Sequence, residues 1–138
     1  MGIRFGVPAH FLFMVVYAND HAYMKSEFGW IEIDKVRYDH DVIIHRDGFV
    51  TKRSKKRSKE LKSTYGHTPL SDHELDILGK EKPEIVYIGT GQYGDLPLTP
   101  DAETVLSRFE TVIRPTPEIL DILKKERRSF VAIIHVTC

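Results

Sequence analysis

A glycine-rich stretch is the first feature of this sequence that could do chemistry. Residues 84–100 read EIVYIGTGQYGDLPLTP and hold three glycines in the spacing G-x-G-x-x-G: Gly89, Gly91 and Gly94. In dinucleotide-binding domains a helix begins inside this motif and points its N-terminus at the pyrophosphate. Here Pro97 and Pro100 follow, and a residue before proline is biased away from helix, so the next helix is predicted to begin only at about Thr99. The stretch therefore predicts a tight structural loop, and no cofactor is indicated.

Polar side chains of the final strand are predicted to lie at the same edge of a sheet. Residues 130–136 are nearly all apolar and predict a buried strand parallel to the one that leads into the glycines. Ligands bind at the carboxyl edge of parallel strands in open α/β sheets. The candidate ligand cleft consists of Gly89, Thr90, Gly91, Gln92, Tyr93, His135 and Thr137. His135 and Thr137 share one face of the strand, whereas Cys138 takes the other, which disfavours a Cys–His nucleophilic pair.

Residues 52–62, the basic segment, carry seven Lys or Arg in eleven positions. This charge density predicts a solvated loop or a frayed helix end. The alternative is an anionic partner, meaning nucleic acid, a phosphate ligand or an acidic protein, bound by Lys55, Lys56, Arg57 and Lys59. Nucleic-acid sites usually interleave aromatic residues with the cations, and only Phe49 and Tyr65 flank this segment. Nucleic acid is therefore an open but not a favoured alternative.

The remaining chemistry-bearing residues form no recognisable motif. Asp39, His40 and Asp41 lie between two predicted strands, where a turn is expected whose aspartates accept from nearby amides. The histidines lack a metal-ligand spacing, so no metal site is predicted. Cys138 is the one cysteine, which excludes an internal disulfide and fits a reducing, cytoplasmic compartment. The formal net charge is zero, so no global field favours nucleic acid or an acidic membrane.

The elements that must position these residues form two halves. Residues 28–53 predict an antiparallel β-meander, and residues 85–136 predict a β-α-β-α-β half, which requires parallel strands and right-handed crossovers. Thr99–Pro100 and Thr116–Pro117 predict helix starts, and Ser71–Glu74 predicts a capping box. The predicted fold is α/β, with a mixed central sheet and helices packed on it in three layers, and is not a Rossmann fold.

The first residues differ from the rest of the sequence. Residues 1–23 are predicted to be an N-terminal arm, and residues 24–138 a single domain. The apolar run FLFMVVYA is far shorter than the roughly 20 residues that a membrane-spanning helix needs. An appended arm outside the fold is the leading interpretation; the alternatives are an arm that packs on this domain or on a neighbouring subunit, and a signal or anchor.

Four ordered sequence blocks resemble a known family. They are YDHDVII from Tyr38, IGTGQYG from Ile88, RPTPE from Arg114 and IIHVTC ending at Cys138. Together they resemble the small domain shared by the adipogenesis-associated domain-containing protein and mitochondrial respiratory complex I assembly factor 3, which has many archaeal and bacterial members. The resemblance implies a three-layer α/β fold of that family's own kind, with no established enzyme activity and no established catalytic residues. The apolar arm and the density of the basic segment depart from the family's pattern.

These patterns predict a protein of unknown biochemical function that acts as a non-enzymatic interaction or assembly module. A protein partner or self-association is expected, and a membrane span is not. The first alternative is a small-ligand or enzymatic role at the carboxyl edge of the strands, using Gln92, Tyr93, His135 and Thr137. The second is binding of an anionic partner through the basic segment. A pocket with convergent polar groups distinguishes a ligand-binding protein from an assembly module.

Overall fold

The computed structural model describes residues 23–138, so the predicted arm lies outside the described residues except for Tyr23. The strands are β1 (Met24–Glu27), β2 (Trp30–Ile33), β3 (Val36–Tyr38), β4 (Val42–Ile44), β5 (Val50–Lys52), β6 (Ile85–Thr90), β7 (Glu110–Arg114) and β8 (Phe130–His135). The α-helices are α1 (Lys62–Tyr65), α2 (Asp76–Glu81), α3 (Pro100–Leu106) and α4 (Thr116–Leu123), with 3₁₀ helices at Lys55–Leu61 and Asp72–Glu74. Within this range, the helices are all too short to cross a membrane.

The strands form two sheets. A small antiparallel sheet has the order β1-β2-β3, and the main sheet has the order β5-β4-β8-β6-β7. In the main sheet β6 is parallel to both β7 and β8, whereas β4 is antiparallel to β8 and to β5. The mixed central sheet and the β-α-β-α-β half are therefore confirmed. The predicted meander is divided between the two sheets: β2 and β3 lie in the small sheet, whereas β4 and β5 lie in the main sheet. Val42 and Ile44 of β4 belong to one core and Ile43 packs against the other, as suits an interior strand.

Side chains alternate along the central strands and supply two cores. Ile85 and Tyr87 of β6 face α4 and the small sheet, whereas Val86 and Ile88 face α2 and α3. Phe130 to Ile134 of β8 divide in the same way and are all 0% exposed. The main sheet is thus covered on both faces, which confirms the predicted three-layer arrangement.

The helix starts follow the sequence signals in part. Thr99 precedes α3, and its Oγ1 accepts a hydrogen bond of 3.1 Å from the Ala102 amide, with Pro100 at the first helical position as predicted. The capping box at Ser71–Glu74 is wrong, since Ser71 makes no side-chain cap bond. The Glu74 carboxylate instead binds the buried Arg53 guanidinium, a stronger partner than a neutral amide.

A chain that begins at Met24 should retain a cooperative thermal unfolding transition. Met24 is 4% exposed and pairs with Ile33, so a cut before it keeps all of β1 and the core described above. A chain that begins at Phe28 is the matched control, because it removes β1 and uncovers a core that α4 shares. Differential scanning calorimetry of both chains checks this. Aggregation of the Met24 chain, or equal behaviour of the two, would contradict the domain boundary.

Candidate functional site

A cleft opens beside the carboxyl end of β8. Its volume is about 770 Å³, and Val136 and Thr137 line it together with Asp39–Asp41 and the basic segment. A smaller cavity of about 180 Å³ shares several of its lining residues and is also lined by His67, His135 and Cys138. The residues common to both cavities are Lys55, Lys62, Thr68 and Thr137. The two cavities therefore meet around the same cations and hydroxyls.

The basic segment presents its lysines to this cleft. It runs from the end of β5 through a 3₁₀ helix into α1, and the lysines that line the larger cavity are Lys52, Lys55, Lys56, Lys59 and Lys62. Of the predicted anion-binding residues, Arg57 lies elsewhere, because its Nη1 donates to Asp76 Oδ1 at 2.9 Å. That contact lowers the pKa of Asp76 below its ordinary value. The sequence predicts a loop or a frayed helix end for the basic segment. In the structure its residues 55–62 are helical, and the helical stretch continues to residue 65.

The prediction that the whole basic segment is solvated is wrong at Arg53. Its side chain is 1% exposed and donates from Nε and Nη2 to the two Glu74 carboxylate oxygens, at 2.6 and 2.9 Å. Its Nη1 reaches Asp41 Oδ2 at 2.8 Å, and Nη2 also reaches the Pro69 carbonyl oxygen at 3.0 Å. Burial alone would lower the pKa of Arg53, but the bonds to Glu74 and Asp41 raise it. The ion cluster fixes the start of the segment, and buried Ser58 adds a hydroxyl bond to Glu74.

Asp41 connects the basic segment to the end of β8. Its Oδ1 accepts from the Val136 amide at 2.9 Å, and its Oδ2 accepts from Arg53 and from His135 Nδ1, each at 2.8 Å. Lys55 Nζ lies 3.6 Å from the same oxygen. Burial alone would raise the pKa of Asp41. The pKa nevertheless lies well below its usual range, because His135 lowers it through its hydrogen bond and its charge, and the charge of Lys55 and the Val136 amide lower it further. Asp41 is therefore an ionised anchor between two distant segments, not a local turn residue.

His135 and Thr137 share one face of the chain, as the alternation predicted. Nε2 of His135 lies 3.1 Å from Thr137 Oγ1, and the histidine side chain is 12% exposed. The Thr137 carbonyl oxygen accepts from the Gln92 amide at 2.7 Å, and the Cys138 carbonyl oxygen accepts from the Asp95 amide at 2.9 Å. These backbone bonds hold the end of the chain in place beside the glycine loop.

The glycine loop lies next to the cleft and supports it. None of the five predicted residues from Gly89 to Tyr93 lines either cavity. The Gly91 amide donates to Thr116 Oγ1 at 3.0 Å, and the Gly91 carbonyl oxygen accepts from the Thr116 amide at 2.9 Å. Gln92 Oε1 accepts from the Ser26 hydroxyl at 2.9 Å. The loop thereby joins the ends of β6 and β8 to the start of α4, and a ligand role for its residues stays a prediction.

Tyr93 projects away from this scaffold. Its side chain is 70% exposed, and its ring centroid lies 6.0 Å from that of Phe28, which is itself 54% exposed. The two rings form a small exposed apolar pair at the junction of the glycine loop and the small sheet.

The sequence interpretation missed Asp41, Arg53, Lys62 and Thr68 as residues of the site. Asp41 and Arg53 were visible only as members of a polar triplet and of a basic run, and no local signal marks either as buried. Lys62 was inside the basic segment and could have been included on its charge alone. Across residues 23–138, there is no cluster of three His, Cys, Asp or Glu side chains that could hold a metal ion.

Comparison with solved structures finds several proteins of similar fold. The conserved hypothetical protein PH1505 from Pyrococcus horikoshii OT3 is 32% identical over 84% of this chain and 99% of its own, with a TM-score of 0.73. MT938 is 33% identical over 86% of this chain and 99% of its own, with a TM-score of 0.68. XCC1710 from Xanthomonas campestris is 13% identical over 82% of this chain and 83% of its own, with a TM-score of 0.59, and it shows the fold alone. No protein-family model and no curated protein matches the chain.

The similar structures carry no assigned activity in their descriptions, so the prediction of a protein of unknown biochemical function is confirmed. The four sequence blocks imply membership of a small conserved α/β family, and these two matches confirm it. At 32% and 33% identity over nearly the whole length of two such proteins, the chain belongs to the family of PH1505 and MT938.

Proposed function

We propose that the protein binds a small anionic ligand, a phosphate or carboxylate compound, in the cleft beside β8. The observation that carries this proposal is the convergence of lysines from one segment on a single cleft. Its volume of about 770 Å³ lies within the range of roughly 300–1,000 Å³ that is common for small-molecule sites. The Thr68 hydroxyl completes a lining that can donate hydrogen bonds to an anion.

The charges of the cleft are incompletely balanced. In the part of the chain that the structure describes, Lys56, Lys59 and Lys62 form no ion pair with a carboxylate, and the cleft's buried Asp41 is already bound by Arg53 and His135. Like charges on a short helical segment repel each other, and an anion among them relieves that repulsion. Buried Arg53 and Ser58 hold the backbone of the basic segment in place. Ligand binding therefore does not have to order this segment, which lowers the entropic cost of binding.

A small ligand fits this site better than a nucleic acid. No Phe, Tyr or Trp lines either cavity, whereas single-stranded nucleic acid is usually held by aromatic stacking as well as charge.

Isothermal titration calorimetry in 0.15 M NaCl with inorganic phosphate, citrate and a short single-stranded RNA tests the proposal. We expect saturable binding of phosphate or citrate, and the stronger of the two identifies the ligand class. The double variant K55Q/K62Q should weaken it at least about tenfold, since bonds to charged groups contribute about 1.5–3 kcal/mol each. K80Q is the matched control, because Lys80 is exposed and pairs with Asp76 away from the cleft.

Equal affinity of K55Q/K62Q and the unmodified protein would place any anion elsewhere and overturn the proposal. Salt-resistant binding of the RNA without binding of either small anion would favour the nucleic-acid alternative, since nonspecific attraction to a polyanion fades with salt.

The interaction-module prediction is the second candidate function. The exposed Phe28–Tyr93 ring pair favours it, because aromatic residues are enriched at the centres of protein interfaces. A role in complex I assembly, a protein partner or self-association, and a cytoplasmic location all remain predictions from the sequence.

A further inference from the structure

Asp41, His135 and Thr137 form a chain of contacts that ends in the cleft. Nδ1 of His135 lies 2.8 Å from Asp41 Oδ2, and Nε2 lies 3.1 Å from Thr137 Oγ1. A carboxylate, an imidazole and a hydroxyl in this order form the arrangement that activates a hydroxyl nucleophile in unrelated hydrolase folds.

The surrounding bonds decide where the protons lie. Asp41 accepts from Arg53 Nη1 and from the Val136 amide, and both contacts favour its ionised form. An ionised carboxylate can only accept, so the proton between Asp41 and His135 lies on Nδ1. In the neutral ring Nε2 is then an acceptor, and the Thr137 hydroxyl donates its proton to it.

Thr137 also belongs to the proposed ligand site. It lines both cavities, and Lys55 and Lys62 line both of them with it. Cations beside a nucleophile can stabilise the negative charge that develops on a carbonyl oxygen under attack. The nucleophile, its base and the positive charge therefore meet at one place.

We propose that Thr137 is the nucleophile for hydrolysis of an ester that carries a carboxylate or phosphate group, with His135 as general base and Asp41 as a positioning residue. The inference rests on the proposed function, because the lysines must hold the anionic group of the ester. Thr137 Oγ1 bonds to the carbonyl carbon as its proton moves to Nε2. The bond from carbon to the leaving oxygen then breaks, and that oxygen takes the proton from Nε2.

Water completes the reaction. A water oxygen bonds to the carbonyl carbon of the acyl-Thr137 ester and passes a proton to Nε2. The bond from carbon to Thr137 Oγ1 breaks, and Oγ1 recovers the proton from Nε2. The sum is ester plus water to acid plus alcohol, and no oxidant or reductant is needed.

The same chain contains an internal control. His45 Nδ1 lies 2.6 Å from Glu81 Oε2, and its Nε2 lies 2.7 Å from Thr51 Oγ1. Glu81, His45 and Thr51 thus form a second trio with the same order of carboxylate, imidazole and hydroxyl, but none of them lines the cleft beside β8 or the smaller cavity. If contact geometry without a charged cleft were sufficient, the two trios would be equally active.

The test is hydrolysis of 4-acetoxybenzoate, an anionic ester, compared with its neutral methyl ester. We expect the full chain to cleave the anionic ester preferentially. The released phenol is measured by chromatography. T137V and H135A should each lose about 10²-fold or more of the rate, in the range that general-base catalysis supplies. T137S should keep activity, and H45A should match the unmodified protein. Peptide mapping by mass spectrometry of the quenched reaction should find the acetyl group on Thr137.

The outcomes separate this inference from the proposed function. If phosphate or citrate binds in the cleft but T137V cleaves the ester as fast as the unmodified protein, or no ester is cleaved, the nucleophile is refuted and the ligand site stands. Acetyl groups found only on lysines also refute it. If neither small anion binds and no ester is cleaved, both proposals fail. Unchanged phosphate affinity of T137V together with loss of cleavage supports both.

Discussion

Replacing Arg53 with Met should lower the free energy of unfolding by about 3–5 kcal/mol, because it removes the guanidinium that pairs with two buried carboxylates. The Asp41 and Glu74 side chains are 1% and 5% exposed, and Arg53 donates to both. Urea denaturation followed by circular dichroism measures the loss. In Arg57→Met, the matched control from the same segment, the side chain is 50% exposed and the change should stay within about 0.5 kcal/mol.

A loss below about 1 kcal/mol for Arg53→Met would contradict the account of the basic segment, since an uncompensated buried charge costs more than that. It would mean that the segment opens to water and that the lysines are not held around the cleft. The ligand proposal would then lose its preorganised site.

Gly91→Ala should cost about 2–4 kcal/mol, the sum of a left-handed backbone penalty and a steric one. Gly91 has φ of +102°, and a Cβ there would lie 2.5 Å from the Cys138 carbonyl carbon and 2.8 Å from the Thr137 carbonyl oxygen. Gly66→Ala separates the two causes, because Gly66 has φ of +76° with nothing within 4 Å of the added Cβ. It should cost only about 1 kcal/mol.

Chemical denaturation of the two glycine variants checks this difference. Equal losses would show that the end of the chain moves aside freely from the glycine loop. That result would contradict the rigid placement of Thr137, which both the ligand site and the proposed nucleophile require.

Local signals explain why much of the fold could be predicted. Thr99 with Pro100 marks a helix start because a hydroxyl cap and a fixed φ act within a few residues. The apolar run of β8 indicates a strand covered on both faces without reference to the rest of the chain. The shared face of His135 and Thr137 follows from strand alternation alone, so this half of the candidate site was available from the sequence.

The other half depends on contacts between distant segments. Asp41 binds residues 12 and 94 positions away, Arg53 and His135, and no local pattern encodes such pairings. Glu74 matched a capping box, but a buried guanidinium displaced the helix amide as its partner. Arg53 and Arg57 are equivalent by composition, and only the packing distinguishes the buried anchor from the exposed cation.

The most direct test of the lysine cleft is a titration of isotope-labelled protein with inorganic phosphate, followed through the backbone amide signals by NMR in 0.15 M NaCl. The account predicts saturable shifts confined to residues 53–68 and 135–138, with K80Q reproducing them and K55Q/K62Q abolishing them. Saturable shifts centred on other lysines, such as Lys25 or Lys80, or no saturable shift for either phosphate or citrate, would contradict it.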